Sequence, residues 1–376
     1  MRIGIPKEIK NGEHRVALTP HAAVELVAAG HEVSVERSAG IDSGYADSEY
    51  EKAGAMLVGS AADAWSAELV VKVKEPLPQE YDYLNSDSGL FTFLHLAAVP
   101  ELTRTLLEKK TRAIGYETVE LDHGGLPILA PMSKVAGRVA MLMAARLLQF
   151  GSLHGGSQQG GLAGVQHKGM LMGGIEGVDP SRVVILGGGN VGRHAAHVAV
   201  GLDAEVIVLD QNEGCVSHLN ELFGGRVTAS LYAESDLGSM LAGADVVIGA
   251  ALIPGEHAPQ LITDAMIASM QNGTVFMDVA IDQGGISQTS RVTSYDEPVY
   301  AVHGVIHSCL PNLPASVPRS STQALVAASL PYLKLLAAEG IASAVDHHSA
   351  LKRGINTWDG EIRHTGVLRA YSFDHV

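Results

Sequence analysis

The sequence predicts an α/β fold with two parallel sheets. Short β-rich runs alternate with helical patterns from the first residues, and a second series of the same kind begins near Val183. The chain has 376 residues, more than one compact core usually organises, so two domains are expected.

In the first series "RIGIP", "HEVSVE", "LVVKVK", "LFTFLHL" and "RAIGYETV" read as strands. The first connection carries its own punctuation. Thr19 is a plausible N-cap, Pro20 sits at the first helical position, "HAAVELVAAG" follows, and Gly30 can close the helix in the left-handed conformation. A long helical pattern starts near Ser133. The segment Gly151 to Lys168, "GSLHGGSQQGGLAGVQHKG" without its last glycine, is too rich in Gly and Gln for a regular element and reads as an exposed loop. The second series runs through "RVVILGGG", "AEVIVLD", "ADVVIGA", "GTVFMDVAID" and "PVYAVHG". After "LPASVPRSS", the run "TQALVAASLPYLKLLAAEG" reads as a helix interrupted at Pro331, and the tail is expected to return to the first domain. The expected division is 1–132 with 306–376 for a discontinuous first domain, and 133–305 for the second.

Composition narrows the function classes. Hydrophobic residues make up 46% and charged residues 18%, with 42 glycines, which suits a globular enzyme and argues against disorder. A formal net charge of −15 without a concentrated Lys/Arg tract argues against nucleic acid. Cys215 and Cys309 stand alone, so neither a disulfide framework nor a thiolate metal site is indicated, and a reducing cytoplasm fits. "MRIGIPKEIKNGEHR" lacks the apolar core of a signal peptide, and "VAGRVAMLMAARLLQF", with Arg138 and Arg146, falls short of a membrane span.

The stretch "VVILGGGNVGRHAAHVAVGLDAEVIVLD" places Gly187, Gly189 and Gly192 in the spacing G-x-G-x-x-G, with Asn190 and Val191 between the last two. The pattern alone is weak in a glycine-rich chain. Here it follows a β-type run, opens a helical pattern, and is followed by a second β-run ending in Asp210, about 20 residues on, where a ribose-binding acid belongs. Gly187 would make the tight turn, Gly189 would admit the pyrophosphate, and Gly192 would let helix and strand pack closely. The carboxylate of Asp210 would accept the ribose hydroxyls and repel a 2′-phosphate, which favours NAD over NADP.

Cationic and titratable residues recur at strand ends, where α/β sheets hold ligands. Arg15 precedes the first helix, Lys74 follows "LVVKV", and His95 follows "LFTFL". Each singly could be a solvated or half-buried structural residue; their shared position raises the functional reading. In "MDVAIDQGG", Asp278 and Asp282 lie four apart, and one of them could simply cap the following turn. Asn312, between prolines in "CLPNLP", has turn chemistry as its plain alternative.

Taken together, "MRIGIPKEIKNGEHRVALTP", "LVVKVKEP", "LFTFLHLAA", "APMSKVAGR", "VVILGGGNVG", "LIPGEHAPQLIT", "DVAIDQGG" and "NLPASVPRSSTQAL" resemble the NAD-dependent alanine dehydrogenases, relatives of the nucleotide-binding subunit of proton-translocating transhydrogenase. The resemblance runs from Met1 to about Ala338. It implies two Rossmann-like domains, a discontinuous substrate domain, an active site in the cleft between the domains, and commonly a homohexamer. It further implies interconversion of L-alanine with pyruvate and ammonia, with NAD as cofactor; no metal site is expected, and composition already argues against nucleic-acid and membrane partners. Arg15 and Lys74 would hold the substrate, Lys74, His95 and Asp282 would act in catalysis, and Asn312 would lie at the substrate or cofactor. Ser133, Gly187, Gly189, Asn190, Val191, Gly192 and Asp210 would hold the cofactor. Another small L-amino acid as substrate, or a transhydrogenase subunit without amino-acid activity, are the alternatives.

Overall fold

The computed structural model describes residues 1–149, 167–232, 234–251 and 258–372, so most of the Gly/Gln-rich loop expected at Gly151 to Lys168 lies outside the described residues. Its last residue, Lys168, is anchored: Nζ donates to Asp245 Oδ1 at 2.6 Å and to Gln271 Oε1 at 3.0 Å.

The chain divides into two compact units, Met1–Met132 with Ala315–Val376, and Ser133–Pro314. The first contains β1 (Arg2–Ile5), β2 (Glu32–Glu36), β3 (Met56–Val58), β4 (Leu69–Val71), β5 (Gly89–Thr92) and β6 (Arg112–Gly115). The second contains β7 (Arg182–Leu186), β8 (Glu205–Asp210), β9 (Thr228–Leu231), β10 (Val246–Gly249), β11 (Val275–Asp278), β12 (Tyr300–Val302) and β13 (Val305–Ser308). The chain then returns to the first sheet with β14 (Ile355–Trp358) and β15 (Glu361–Ile362).

The return comes after Pro314, not after residue 305. The expected boundary cut through β13, which pairs parallel with β11 and antiparallel with β12 and so belongs to the second unit. Among the described residues the strand order is β15-β14-β6-β5-β4-β1-β2-β3 in the first sheet and β12-β13-β11-β10-β7-β8-β9 in the second. The interiors are parallel as expected, but one edge of each sheet is not: β12, β14 and β15 pair antiparallel. A two-residue turn such as His303-Gly304 can join only antiparallel strands, and the expected single strand "PVYAVHG" is the first arm of that hairpin.

Local chemistry explains the elements. Thr19 Oγ1 accepts from Ala22 N at 3.3 Å at the start of the helix Pro20–Ala28, and Gly30 beyond its end has φ +86°. The buried faces of β1, β2, β4 and β5 share one core with this helix and with the helix Pro318–Glu339. The latter runs unbroken through Pro331, contrary to the interruption expected there. Pro331 is exposed, while Leu325, Val326, Ser329, Leu333, Leu336 and Ala337 bury the inner side along its length. That burial outweighs the roughly 3 kcal/mol of an interior proline. Among the described residues, no single helix is long and apolar enough to cross a membrane.

Candidate active site

In the first unit β6, β5, β4 and β1 are parallel neighbours, so the loops that follow them leave from one end of the sheet. Those loops carry Glu117, His95, the stretch Lys72 to Glu75, and the stretch Glu8 to Arg15. Strand order thus assembles residues that lie a hundred positions apart in sequence.

Arg15 is 2% exposed and is not the solvated cation of the plainer reading. Its Nε and Nη2 each donate at 2.6 Å to the two oxygens of Glu13, and Nη1 donates to Met132 Sδ at 3.1 Å. The two-pronged grip in the structure is therefore Glu13's on Arg15, which fixes the plane of the guanidinium. Lys74 lies three residues beyond β4 and is 9% exposed. Burial lowers its pKa, the nearby charges of Arg15 and Lys10 lower it further, and Glu75 and Glu13 oppose them. A cation that is costly to bury beside another cation is a receptive place for an anionic or electron-rich ligand.

His95 sits just past β5 with φ 50° and ψ 35°, a left-handed conformation. Its Nδ1 is 3.5 Å from Glu75 Oε2, an ion-pair contact at the limit of hydrogen-bond reach. The other oxygen of Glu75 takes a hydrogen bond from Lys10. Burial pushes the Glu75 carboxyl up, but the interactions with His95 and Lys10 outweigh it and hold it at about 2. Glu75 therefore links His95 to the cationic group around Lys74.

A second buried set lies behind this one. Lys72, wholly buried, lies 2.8 Å from Glu80 Oε1 and 3.2 Å from Glu8 Oε2. The two carboxylates raise the lysine pKa against the effect of burial. Glu8 Oε1 also accepts from Val73 N at 2.6 Å and Lys74 N at 3.4 Å. Glu8, Glu13, Glu75 and Glu117 were all missed by sequence reasoning. The only available signal was a Lys-x-Lys at the end of an apolar strand, which demands counter-charges somewhere.

In the second unit the glycine loop follows β7 and opens the helix Asn190–Gly201. Gly187 has φ +102°, and a Cβ there would stand 2.6 Å from Ala250 O. A Cβ on Gly192 would stand 1.8 Å from Gly187 O, so helix and turn are in backbone contact. A Cβ on Gly189 would meet nothing within 4 Å. That open side lies at the amino end of a 12-residue helix, where backbone N–H groups are unpaired and favour an anion. Asn190 accepts from Arg193 Nη2 at 3.1 Å, and Val191 is half-buried in the first turn. Asp210 ends β8. Its Oδ2 accepts from Gly188 N at 2.7 Å and its Oδ1 from Asn212 N at 2.8 Å. The carboxylate thus lies against the glycine loop, and these residues fit a dinucleotide. Among the described residues, no group of three or more His, Cys, Asp or Glu is placed to hold a metal ion.

The pair Asp278 and Asp282 divides its labour. Asp278 is buried at the end of β11 and accepts from Ala280 N at 3.1 Å, Ile286 N at 2.8 Å and Ser290 Oγ at 2.5 Å. It is the turn-capping carboxylate. Asp282 lies exposed on the 3-10 turn Ile281–Gln283 that Asp278 brackets. Ser133 stands on the helix Leu129–Leu148, and Asn312 adopts φ 57° just after β13. Both are half-buried in the second unit.

The alanine dehydrogenase/PNT N-terminal domain model matches residues 4–136, and the corresponding C-terminal domain model matches residues 159–365. The chain belongs to the alanine dehydrogenase/PNT family. Within that family it is 46% identical over 378 residues to an alanine dehydrogenase of Geobacillus stearothermophilus, covering 100% of this chain and 98% of that protein. It is 44% identical over 377 residues to the alanine dehydrogenase of Staphylococcus haemolyticus, with the same coverage. A solved L-alanine dehydrogenase superposes with a TM-score of 0.92 at 47% identity, covering 99% of each chain. A transhydrogenase from Sinorhizobium meliloti gives 0.79 at 25% identity, covering 97% of this chain and 99% of that one.

Proposed function

We propose that this member of the family is an NAD-dependent alanine dehydrogenase that converts L-alanine and water to pyruvate and ammonia, and runs the reverse amination. The observation that carries the reading is the juxtaposition of buried Arg15 and Lys74 with His95, through Glu13 and Glu75, at one end of the first sheet. The higher likeness to alanine dehydrogenases than to the transhydrogenase supports the enzyme over a nucleotide-binding subunit.

In this reading Gly187 to Gly192 and Asp210 hold the dinucleotide, with Ser133 and Asn312 beside it. When bound, the nicotinamide supplies the hydride acceptor for oxidation and the donor for amination. Arg15, its plane fixed by Glu13, holds the substrate carboxylate, and Lys74 polarises the oxo or imine centre. Loss of hydride from Cα of the neutral amine yields a protonated imine; water adds to its carbon and loses a proton, giving a carbinolamine that gains a proton at nitrogen, loses the proton of its hydroxyl and expels ammonia to leave pyruvate. His95 and Asp282 carry those protons. By resemblance the reading extends to a homohexamer in the cytoplasm.

Purified protein with NAD and a panel of L-amino acids, followed by NADH absorbance, tests the reading. L-Alanine should be the best substrate. A better rate with another small amino acid would reassign the substrate, and no reduction of NAD with any of them would sink the dehydrogenase.

A further inference from the structure

His95 is not merely at a strand end. It is held in a backbone conformation that side-chain-bearing residues adopt rarely, and the structure shows what holds it. Sheet pairing along β5 continues past the strand proper, with Tyr116 N donating to Thr92 O at 2.8 Å. There the pairing with β6 stops. Phe93 N still donates to Val73 O at 3.3 Å on the β4 side, but the N–H groups that follow, Leu94 and His95, meet no backbone carbonyl of the β6 exit. They point instead at the carboxylate of Glu117, whose Oε1 accepts from Leu94 N at 3.0 Å and from His95 N at 2.7 Å, with a longer contact from Leu94 N to Oε2 at 3.3 Å. On the far side, Tyr371 Oη donates to Leu96 O at 2.7 Å. The segment that carries the imidazole is thus gripped through its backbone.

We propose that Glu117 is a positioning residue for His95: its carboxylate stands in for a sheet partner, fixes the left-handed turn, and so aims the imidazole at the substrate. This rests on the catalytic role given to His95 above. The division of labour among the carboxylates follows from their contacts. Glu75 touches the ring and Glu117 touches the backbone, so Glu117 acts on the aim of the imidazole without contacting it. With its acceptor removed, two adjacent N–H groups lose their partner and the turn relaxes toward φ below zero, which swings the side chain away. Displacements of about 1 Å at a reacting group can lower a rate by about 100-fold.

The test uses Glu117→Ala, Glu117→Asp, Glu117→Gln and His95→Ala in the full-length enzyme, with kcat in both directions, oxo-acid KM, NADH affinity and thermal midpoint measured for each. Glu117→Ala should lose roughly 10- to 100-fold in kcat with KM and NADH affinity within about threefold of the parent. Glu117→Asp keeps the charge but withdraws the acceptor by one methylene, and should be slow as well; it serves if the alanine variant does not fold. Glu117→Gln keeps an oxygen where both bonds land and should stay within about fivefold of the parent, since geometry rather than charge is at stake. Parental kcat in Glu117→Asp, or a glutamine variant as slow as the alanine variant, would overturn the inference. Parental kcat in His95→Ala would instead overturn the role of His95, and the two failures are told apart by that variant alone.

Discussion

The glycine loop offers a sharp separation of stability from cofactor binding, because two of its glycines face opposite surroundings. A methyl group on Gly192 would sit 1.8 Å from Gly187 O, against backbone that cannot rotate away. Helix and strand must move apart by more than 1 Å, an overpacking that costs about 1–3 kcal/mol or more. In a unit of this size that is a fall of roughly 2–12 °C in Tm. A methyl group on Gly189 would meet nothing within 4 Å, and the residue has φ −64°, which alanine accepts. Gly189→Ala should therefore stay within about 1 kcal/mol of the parent, the difference between glycine and alanine at an N-cap. Its effect should fall on the ligand. If the pyrophosphate approaches the backbone at Gly189, one lost charge-assisted hydrogen bond of about 1.5–3 kcal/mol weakens NADH binding roughly 10- to 100-fold. Thermal unfolding without ligand and fluorescence titration with NADH give the two numbers. Gly189→Ala binding NADH like the parent would refute the assignment of that open side to the pyrophosphate.

Three further outcomes follow from the same contacts. Asp210→Ala removes a carboxylate that also receives Gly188 N–H, so it should weaken NAD binding and narrow the preference for NAD over NADP by at least roughly tenfold. Equal efficiency of the parent with both cofactors would refute the reading. Arg15→Lys cannot reproduce the two bonds to Glu13, and should raise the substrate KM by roughly tenfold or more while sparing NADH binding; an unchanged KM would make Arg15 structural. Glu75 is held from its ordinary 4.5 to about 2, so its contribution to stability is complete above pH 4.5 and is lost as pH falls through about 2. That drop corresponds to about 3 kcal/mol, and Glu75→Gln should flatten acid unfolding over this window; an unaltered profile would count against it.

The glycine loop was legible because its requirements are local: a positive φ at Gly187 and bare backbone at Gly192 follow from neighbours within a few positions. Arg15, Lys74 and His95 could be singled out by their place after apolar runs, although only the fold shows that Lys74 is buried beside Arg15. Their carboxylate partners were not legible. Glu117 meets His95 only because β5 and β6 are neighbours, and Glu8 meets Lys74 N only because β1 and β4 are. Strand order is a global property that no window of sequence displays. The same reason hid the edge strands β14 and β15, which are short and find their partners in a sheet begun more than two hundred residues earlier. The unbroken helix through Pro331 was misread because its compensation is tertiary packing.

The three recurring cases point to one physical arrangement. Where a parallel strand leaves the sheet, its next N–H groups lose the carbonyls that paired with them, and buried N–H groups do not stay unpaired. Glu8, on the exit of β1, serves Val73 and Lys74 beyond β4; Glu117, on the exit of β6, serves Leu94 and His95 beyond β5; Asp210, ending β8, serves Gly188 beyond β7. In each pair the carboxylate comes from the adjacent strand, and the loop it stabilises carries a residue with candidate chemistry. A carboxylate suits the task because one oxygen pair can accept several N–H groups at once and makes charge-assisted bonds. Each of these three acids, part of the net charge of −15, is held by backbone N–H groups where a neighbouring strand ends. In the function proposed above, an anionic substrate meets Arg15 and Lys74 within an acidic protein; Glu75 and Glu8 beside them are already held by Lys10, Lys72 and the backbone, while Glu13 takes one face of the Arg15 guanidinium.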